Sequence, residues 1–161
     1  MILSPLQSEK TITGQKKPVI TQRFLDRPEF YKPLGLPSHG GLDFRAKVGT
    51  PLFAPIDGKV TVINKGPYGL HVYIQNDRLK CLLAHLSSVA CHTGQIIRMG
   101  EAVGLTGASG NVEGEHLHME MYKMHGDALA DPKDPYKSRF DFEPYVITWR
   151  GSLTSDELIY S

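Results

Sequence analysis

Short runs of alternating apolar and polar residues, many of them β-branched, recur along this chain between glycines and prolines. Residues 59–63 (Lys-Val-Thr-Val-Ile) open after Asp57-Gly58, and residues 70–74 (Leu-His-Val-Tyr-Ile) follow the turn-forming Gly66-Pro67-Tyr68-Gly69, so the two are predicted to pair as a hairpin. Residues 79–85, 103–106, 116–122 and 145–149 read as further strands. No window carries apolar residues at a helical period over three turns. Closely spaced short strands with turn signals predict an all-β fold, with small antiparallel sheets forming a sandwich or barrel-like domain. Neither a fixed-period repeat nor a low-complexity tract interrupts the pattern.

The 161 residues suit one domain. Residues 1–17 are polar and end in Lys16-Lys17-Pro18, which predicts an N-terminal arm. Residues 18–136 form the predicted main domain, and residues 137–161 a tail that packs back on it as one strand and a loose end. The 40% hydrophobic content is ample for a core. A net charge of +1 gives no basic field for nucleic acid, and no apolar run approaches the ~20 residues of a membrane helix. No basic segment followed by a sustained apolar run opens the chain, so no secretion signal is expected in it. Cys81 and Cys91 are the only cysteines and form no Cys-x-x-Cys pair, so a metal site on them is not expected; buried, unpaired thiols are the main expectation, and a bridge between them, ten residues apart, stays open.

The histidines change the picture. They cluster in three pieces: His39-Gly40-Gly41-Leu42-Asp43, His85-Leu86-Ser87 and His116-Leu117-His118. Imidazoles with a carboxylate suit a borderline-soft divalent metal such as zinc. Gly40-Gly41 disfavours a helix between His39 and Asp43, so a loop entering a strand is expected there. His116, His118 and Glu120 alternate onto one strand face. The same alternation sets His85 beside Leu83 and Cys81.

Taken in order, His-x-x-x-Asp, His-Leu-Ser and His-Leu-His-x-Glu resemble the lysostaphin-type zinc endopeptidases that cut peptidoglycan peptides. Gly49-Thr50-Pro51-Leu52-Phe53-Ala54-Pro55, Asp57-Gly58-Lys59-Val60 and Gly104-Leu105-Thr106-Gly107 extend the resemblance to about residues 20–136. It implies one zinc held by His39, Asp43 and His118, with His85 and His116 acting in catalysis. Three protein ligands leave a fourth tetrahedral position for water, whose pKa zinc lowers to about 7. One free imidazole can then take the proton while the other stabilises the oxyanion. The implied partner is a peptide of the stem or cross-bridge of peptidoglycan, at the cell wall or in the periplasm, and the implied setting includes a phage-encoded or virion-associated lysin. The competing reading is a non-enzymatic wall-binding, activator or virion domain of the same fold. A cupin-like site would need a glutamate where Tyr122 or Lys123 stands, and a metallo-β-lactamase-like site an Asp-His pair where Glu120-Met121 stands.

The chain departs from the family in two places: Leu83 stands where a tyrosine often precedes the middle histidine, and the loop at residues 108–115 is longer and more acidic. Residues 22–38 replace a shorter opening and are expected to wall a groove, with Tyr31 and Tyr68 read as packing residues. Glu120 reads equally as support for a ligating imidazole or as a surface carboxylate. Ser87 is expected to cap a turn, His71 to face outward, and His92 and His125 to sit in turns.

Overall fold

The computed structural model describes residues 2–6, 10–11, 14–15 and 18–147. β1 (Ile2–Leu3), β2 (Lys10–Thr11), β3 (Gly14–Gln15) and β4 (Ile20–Gln22) precede the one α-helical turn among the described residues, α1 (Pro28–Tyr31). β5 (Leu42–Phe44), β6 (Pro51–Phe53), β7 (Gly58–Asn64), β8 (Leu70–Gln75) and β9 (Leu79–Val89) follow. The chain continues through β10 (Ile96–Ile97), β11 (Ala102–Thr106), β12 (Leu117–His125), β13 (Ala128–Leu129) and β14 (Val146–Ile147).

The predicted hairpin is β7–β8, with Val60 opposite Ile74 and Val62 opposite Val72. The architecture is one antiparallel sheet in the order β10-β7-β8-β9-β12-β5-β4, which does not close into a barrel. β9 outruns its expected end. Its first half pairs with β8 and β12, and its second half pairs with β11, which in turn carries β6. The strand expected at 145–149 is shorter: Glu143–Tyr145 make a 3-10 turn, where Pro144 supplies no donor, and only Val146 and Ile147 pair. Thr148 and Trp149 lie outside the described residues.

Strand alternation gives the sheet two faces. One holds the main core: Leu42, Phe44, Val72, Ile74, Cys81, Leu83, Leu117, Met119 and Met121 are all buried there. Cys81 and Cys91 are buried and unpaired. The opposite face carries a smaller cluster of Leu82, Ala84 and Tyr122, with Tyr68, Tyr73 and Leu129 packed on it. His71 belongs to this second face and is buried rather than outward-facing. It lies between the rings of Tyr68 and Tyr73, at 5.6 and 5.5 Å, with Nδ1 2.9 Å from the Gly69 carbonyl.

The start of the predicted N-terminal arm is not an arm. Ile2, Leu3 and Leu6 are buried, because β1 pairs in parallel with β14 and Leu6 bridges to Leu52. Phe142, from the other end, is fully buried in the same core.

Candidate metal centre

β5 and β12 bring the first and third histidine pieces together on the second face, with Asp43 opposite His118 in register. Three donor atoms converge there. His39 Nε2 lies 3.1 Å from Asp43 Oδ1 and 3.0 Å from His118 Nδ1, and His118 Nδ1 lies 2.8 Å from Asp43 Oδ1. Together they could hold a metal ion. The glycines of the first piece permit this approach: a Cβ on Gly41 would lie 2.1 Å from the Met119 carbonyl oxygen. His39 itself is fixed by its backbone, which receives a hydrogen bond from Leu25 N–H and donates one to the Asp26 carbonyl.

Each histidine has its outward nitrogen engaged. His39 Nδ1 is 2.9 Å from the Arg23 carbonyl, and a carbonyl only accepts, so Nδ1 carries the proton and Nε2 presents its lone pair to the cluster. His118 Nε2 donates to Glu120 Oε1 at 3.0 Å, which aims Nδ1 inward. His85 Nδ1 donates to the Ser109 carbonyl at 2.9 Å and His116 Nδ1 to the Gly114 carbonyl at 3.0 Å, leaving both Nε2 atoms without a hydrogen bond among the described residues. His116 Nε2 stands 3.7 Å from Asp43 Oδ1, and the His85 and His116 rings are 4.9 Å apart. All five residues expected at the site are therefore side by side.

Simple alternation fails at His85, which does not share the face of Leu83 and Cys81. Leu70 pairs with Leu86 and Val72 with Leu83, so two residues of β9 oppose one of β8. His85 is the extra residue region of this bulge, with φ of +64°, and the left-handed backbone turns its ring onto the site face, 6.0 Å from His118. Histidine tolerates that conformation better than most side chains. Ser87 does not cap a turn: it lies within β9 and donates to the Thr106 carbonyl at 2.8 Å, tying β9 to β11 just past the bulge.

Electrostatics here favour a cation. Burial opposes the charge on Asp43, but the neighbouring imidazoles, His118 foremost and then His39, outweigh it and hold the carboxyl well below the usual carboxylate range. Burial likewise opposes the charge on Glu120, but the His118 hydrogen bond and charge, with Arg139, lower it to about 2. His118 is raised to about 9: burial works against its protonation, and the hydrogen bonds to Asp43 and Glu120 win. His85 is pushed down to about 4, chiefly by burial.

Glu120 is no surface carboxylate. It is buried and accepts from His118, from Tyr68 Oη at 2.7 Å, from Tyr122 Oη and from Arg139 Nε at 2.7 Å. Tyr68 is thereby a network residue, while the Tyr31 ring lies 5.6 Å from His39 and its hydroxyl accepts from Gln22 Nε2 at 2.9 Å. Arg23, Ser109 and Arg139 were not found from the sequence. Arg23 and Ser109 contribute backbone carbonyls, which any residue could supply, and Arg139 sits in the expected tail.

Residues 37–132, more than half of the chain, match the sequence profile of peptidase family M23. The chain belongs to this family. Among its M23 relatives is the peptidoglycan DD-endopeptidase ShyB of Vibrio cholerae, 36% identical over 85 residues, or 52% of this chain and 20% of that one. The DD-carboxypeptidase/endopeptidase Mpg of Neisseria meningitidis is 40% identical over 84 residues, 51% of this chain and 19% of that protein. The chain thus aligns with about a fifth of the length of these relatives. A zinc-containing peptidase from Vibrio cholerae superposes with a TM-score of 0.59 at 31% identity, over 73% of this chain and 36% of the other. The catalytic domain of the prophage-encoded M23 protein EnpA from Enterococcus faecalis gives 0.59 at 27% identity, over 80% and 96%.

Proposed function

We propose that this M23 chain is a zinc metalloendopeptidase that hydrolyses a peptide bond in bacterial peptidoglycan, acting at the cell wall or in the periplasm. His39, Asp43 and His118 would hold the zinc. Two imidazole nitrogens and one carboxylate oxygen, each about 3 Å from the others, with each imidazole backed by an outer hydrogen bond, suit an open catalytic zinc site rather than a closed structural one. Bound there, zinc supplies Lewis acidity to the scissile carbonyl and makes water a better nucleophile. The chain's own share is proton handling. The Nε2 of His85 or His116 accepts the proton of the attacking water, and the companion imidazole, once protonated, donates to the developing oxyanion. Their carbonyl partners, Ser109 and Gly114, keep both rings in the tautomer this requires.

The single observation that carries this reading is the convergence of three ligand-type donors beside two imidazoles whose Nε2 atoms make no hydrogen bond among the described residues. The identities of 36% and 40% to proteins named as DD-endopeptidases favour a D-alanyl–diamino acid bond over a glycyl-glycine bond as the target. The test couples zinc content with turbidity loss of purified cell walls for wild type, His118→Ala, His85→Ala and His116→Ala, with mass spectrometry of the released fragments. Wild type should carry one zinc and lyse walls, and His118→Ala should lose both. The other two variants should keep zinc and lose roughly 100-fold or more in rate. Zinc-loaded wild type that releases no peptide fragments from any wall would overturn the enzymatic reading in favour of a binding domain.

A further inference from the structure

Arg139 and Tyr136 stand beyond the stretch that matches the family profile, yet both reach the ligand cluster from behind. The Arg139 guanidinium lies against the rings of Tyr122 and Tyr136, 5.0 Å from each centroid, and its Nε donates to Glu120 Oε2 at 2.7 Å. The other oxygen of that carboxylate, Oε1, takes the hydrogen bond from His118 Nε2. Arg139, Glu120 and His118 are thus in series. Tyr136 holds the backbone that carries the other imidazole of the cluster: its hydroxyl is 2.7 Å from Ser38 Oγ and 3.1 and 3.2 Å from the Ser38 and His39 carbonyl oxygens.

Gly40, inside the His-x-x-x-Asp piece, makes room for this arrangement. A Cβ there would meet Arg139 Nε at 3.0 Å and Glu120 Oε1 at 3.0 Å. The absent side chain is therefore occupied by the clamp from the C-terminal segment. The side chains involved are well placed to be rigid: Glu120 is buried, and the arginine is held between two rings.

The geometry points to Arg139 as a positioning residue for the metal centre: it fixes the Glu120 carboxylate so that His118 holds Nδ1 toward His39 and Asp43. This rests on the zinc reading above. A carboxylate whose Oε2 takes the Nε–H of a guanidinium packed between two rings, together with the Tyr122 hydroxyl, is restrained from rotating away from the imidazole bonded to Oε1, so the ligand is oriented before the metal arrives. Among the described residues Arg139 donates to none of His39, Asp43 and His118, and its side-chain hydrogen bond reaches His118 through Glu120.

The test measures zinc dissociation constants on the full metal-free chain, by competition with a chromophoric chelator at one fixed pH. Wild type, His118→Ala, Glu120→Gln, Arg139→Met, Arg139→Lys and the Glu120→Gln/Arg139→Met double variant are compared, with thermal midpoints of each metal-free protein. Arg139→Met should bind zinc about tenfold or more weakly. Because the two residues act in series, the double variant should bind no more weakly than Glu120→Gln alone. Arg139→Lys, which keeps the cation but not the planar group packed between the rings, should fall between wild type and Arg139→Met, and it serves in place of Arg139→Met should that variant not fold. If His118→Ala loses zinc while Arg139→Met and Arg139→Lys bind as wild type does, or if the losses in the double variant multiply, the positioning role is overturned and the zinc reading stands. If His118→Ala binds zinc as wild type does, both fall.

Discussion

His85 has a left-handed backbone, a buried setting and one carbonyl partner, whereas His118, on the neighbouring strand, lies between two carboxylates. The two imidazoles accordingly move in opposite directions, His85 down to about 4 and His118 up to about 9. As pH falls from the ordinary histidine value of 6.5 to about 4, the unfolded chain takes up a proton at His85 that the folded chain refuses, so His85 costs stability across that window. For His118 the sign reverses: its contribution to the metal-free protein is complete below 6.5 and is lost as pH rises through about 9. The metal-free His85→Asn variant, whose asparagine accepts the left-handed backbone, should therefore lose less stability than wild type between pH 6.5 and 4. Urea midpoints at several pH values check this, and equal slopes for the two proteins would count against a buried, neutral His85.

The pairing of β5 with β12 decides whether the ligands meet. Leu42 sits opposite Met119 and Asp43 opposite His118, and Gly41 enters β5 against the Met119 carbonyl with no space for a methyl group. Gly41→Ala should push the two strands apart, costing about 1–3 kcal/mol in denaturant stability, and it should weaken zinc binding because His39 and Asp43 flank the shift. Gly114→Ala provides the control: a Cβ there meets nothing within 4 Å, and stability should be unchanged. At β9 the deciding feature is the bulge. A regular strand would bury the His85 ring with Leu83, and the extra residue sends it to His116 instead.

At the scale of the molecule, the two ends of the described chain complete one core. β1 pairs with β14, Phe142 is fully buried against the sheet, and Arg23 reaches Glu143 at 2.8 Å. The ion pair adds little, because the arginine is exposed and water and salt screen the attraction. Phe142 matters more: Phe142→Ala should cost about 3–5 kcal/mol, measured as a shift in urea midpoint at constant slope. A chain cut after residue 136 would lose Phe142, Arg139 and β14 together. A loss near zero for Phe142→Ala would instead make residues 137–147 an appendage to a core complete without them.

Local pattern was enough for the fold class, the hairpin of β7 and β8, the strand faces of β12 and the group His39, Asp43, His85, His116 and His118, because hydrophobic period, turn residues and metal-type side chains are written residue by residue. The burial of Cys81 and Cys91 was legible in the same way, but not that they stay unpaired, because a spacing of ten residues is compatible with a bridge. Tertiary structure decided what depends on partners distant in sequence. The side His85 faces follows from a bulge against β8, which no alternation rule reports. The part played by Glu120 depends on Arg139, Tyr68 and Tyr122 closing around it, and the inclusion of Ile2, Leu3 and Phe142 in the core depends on both chain ends returning to one sheet. A short sequence window encodes a strand and its faces, but which groups meet across the fold is fixed only when the whole sheet closes over its core.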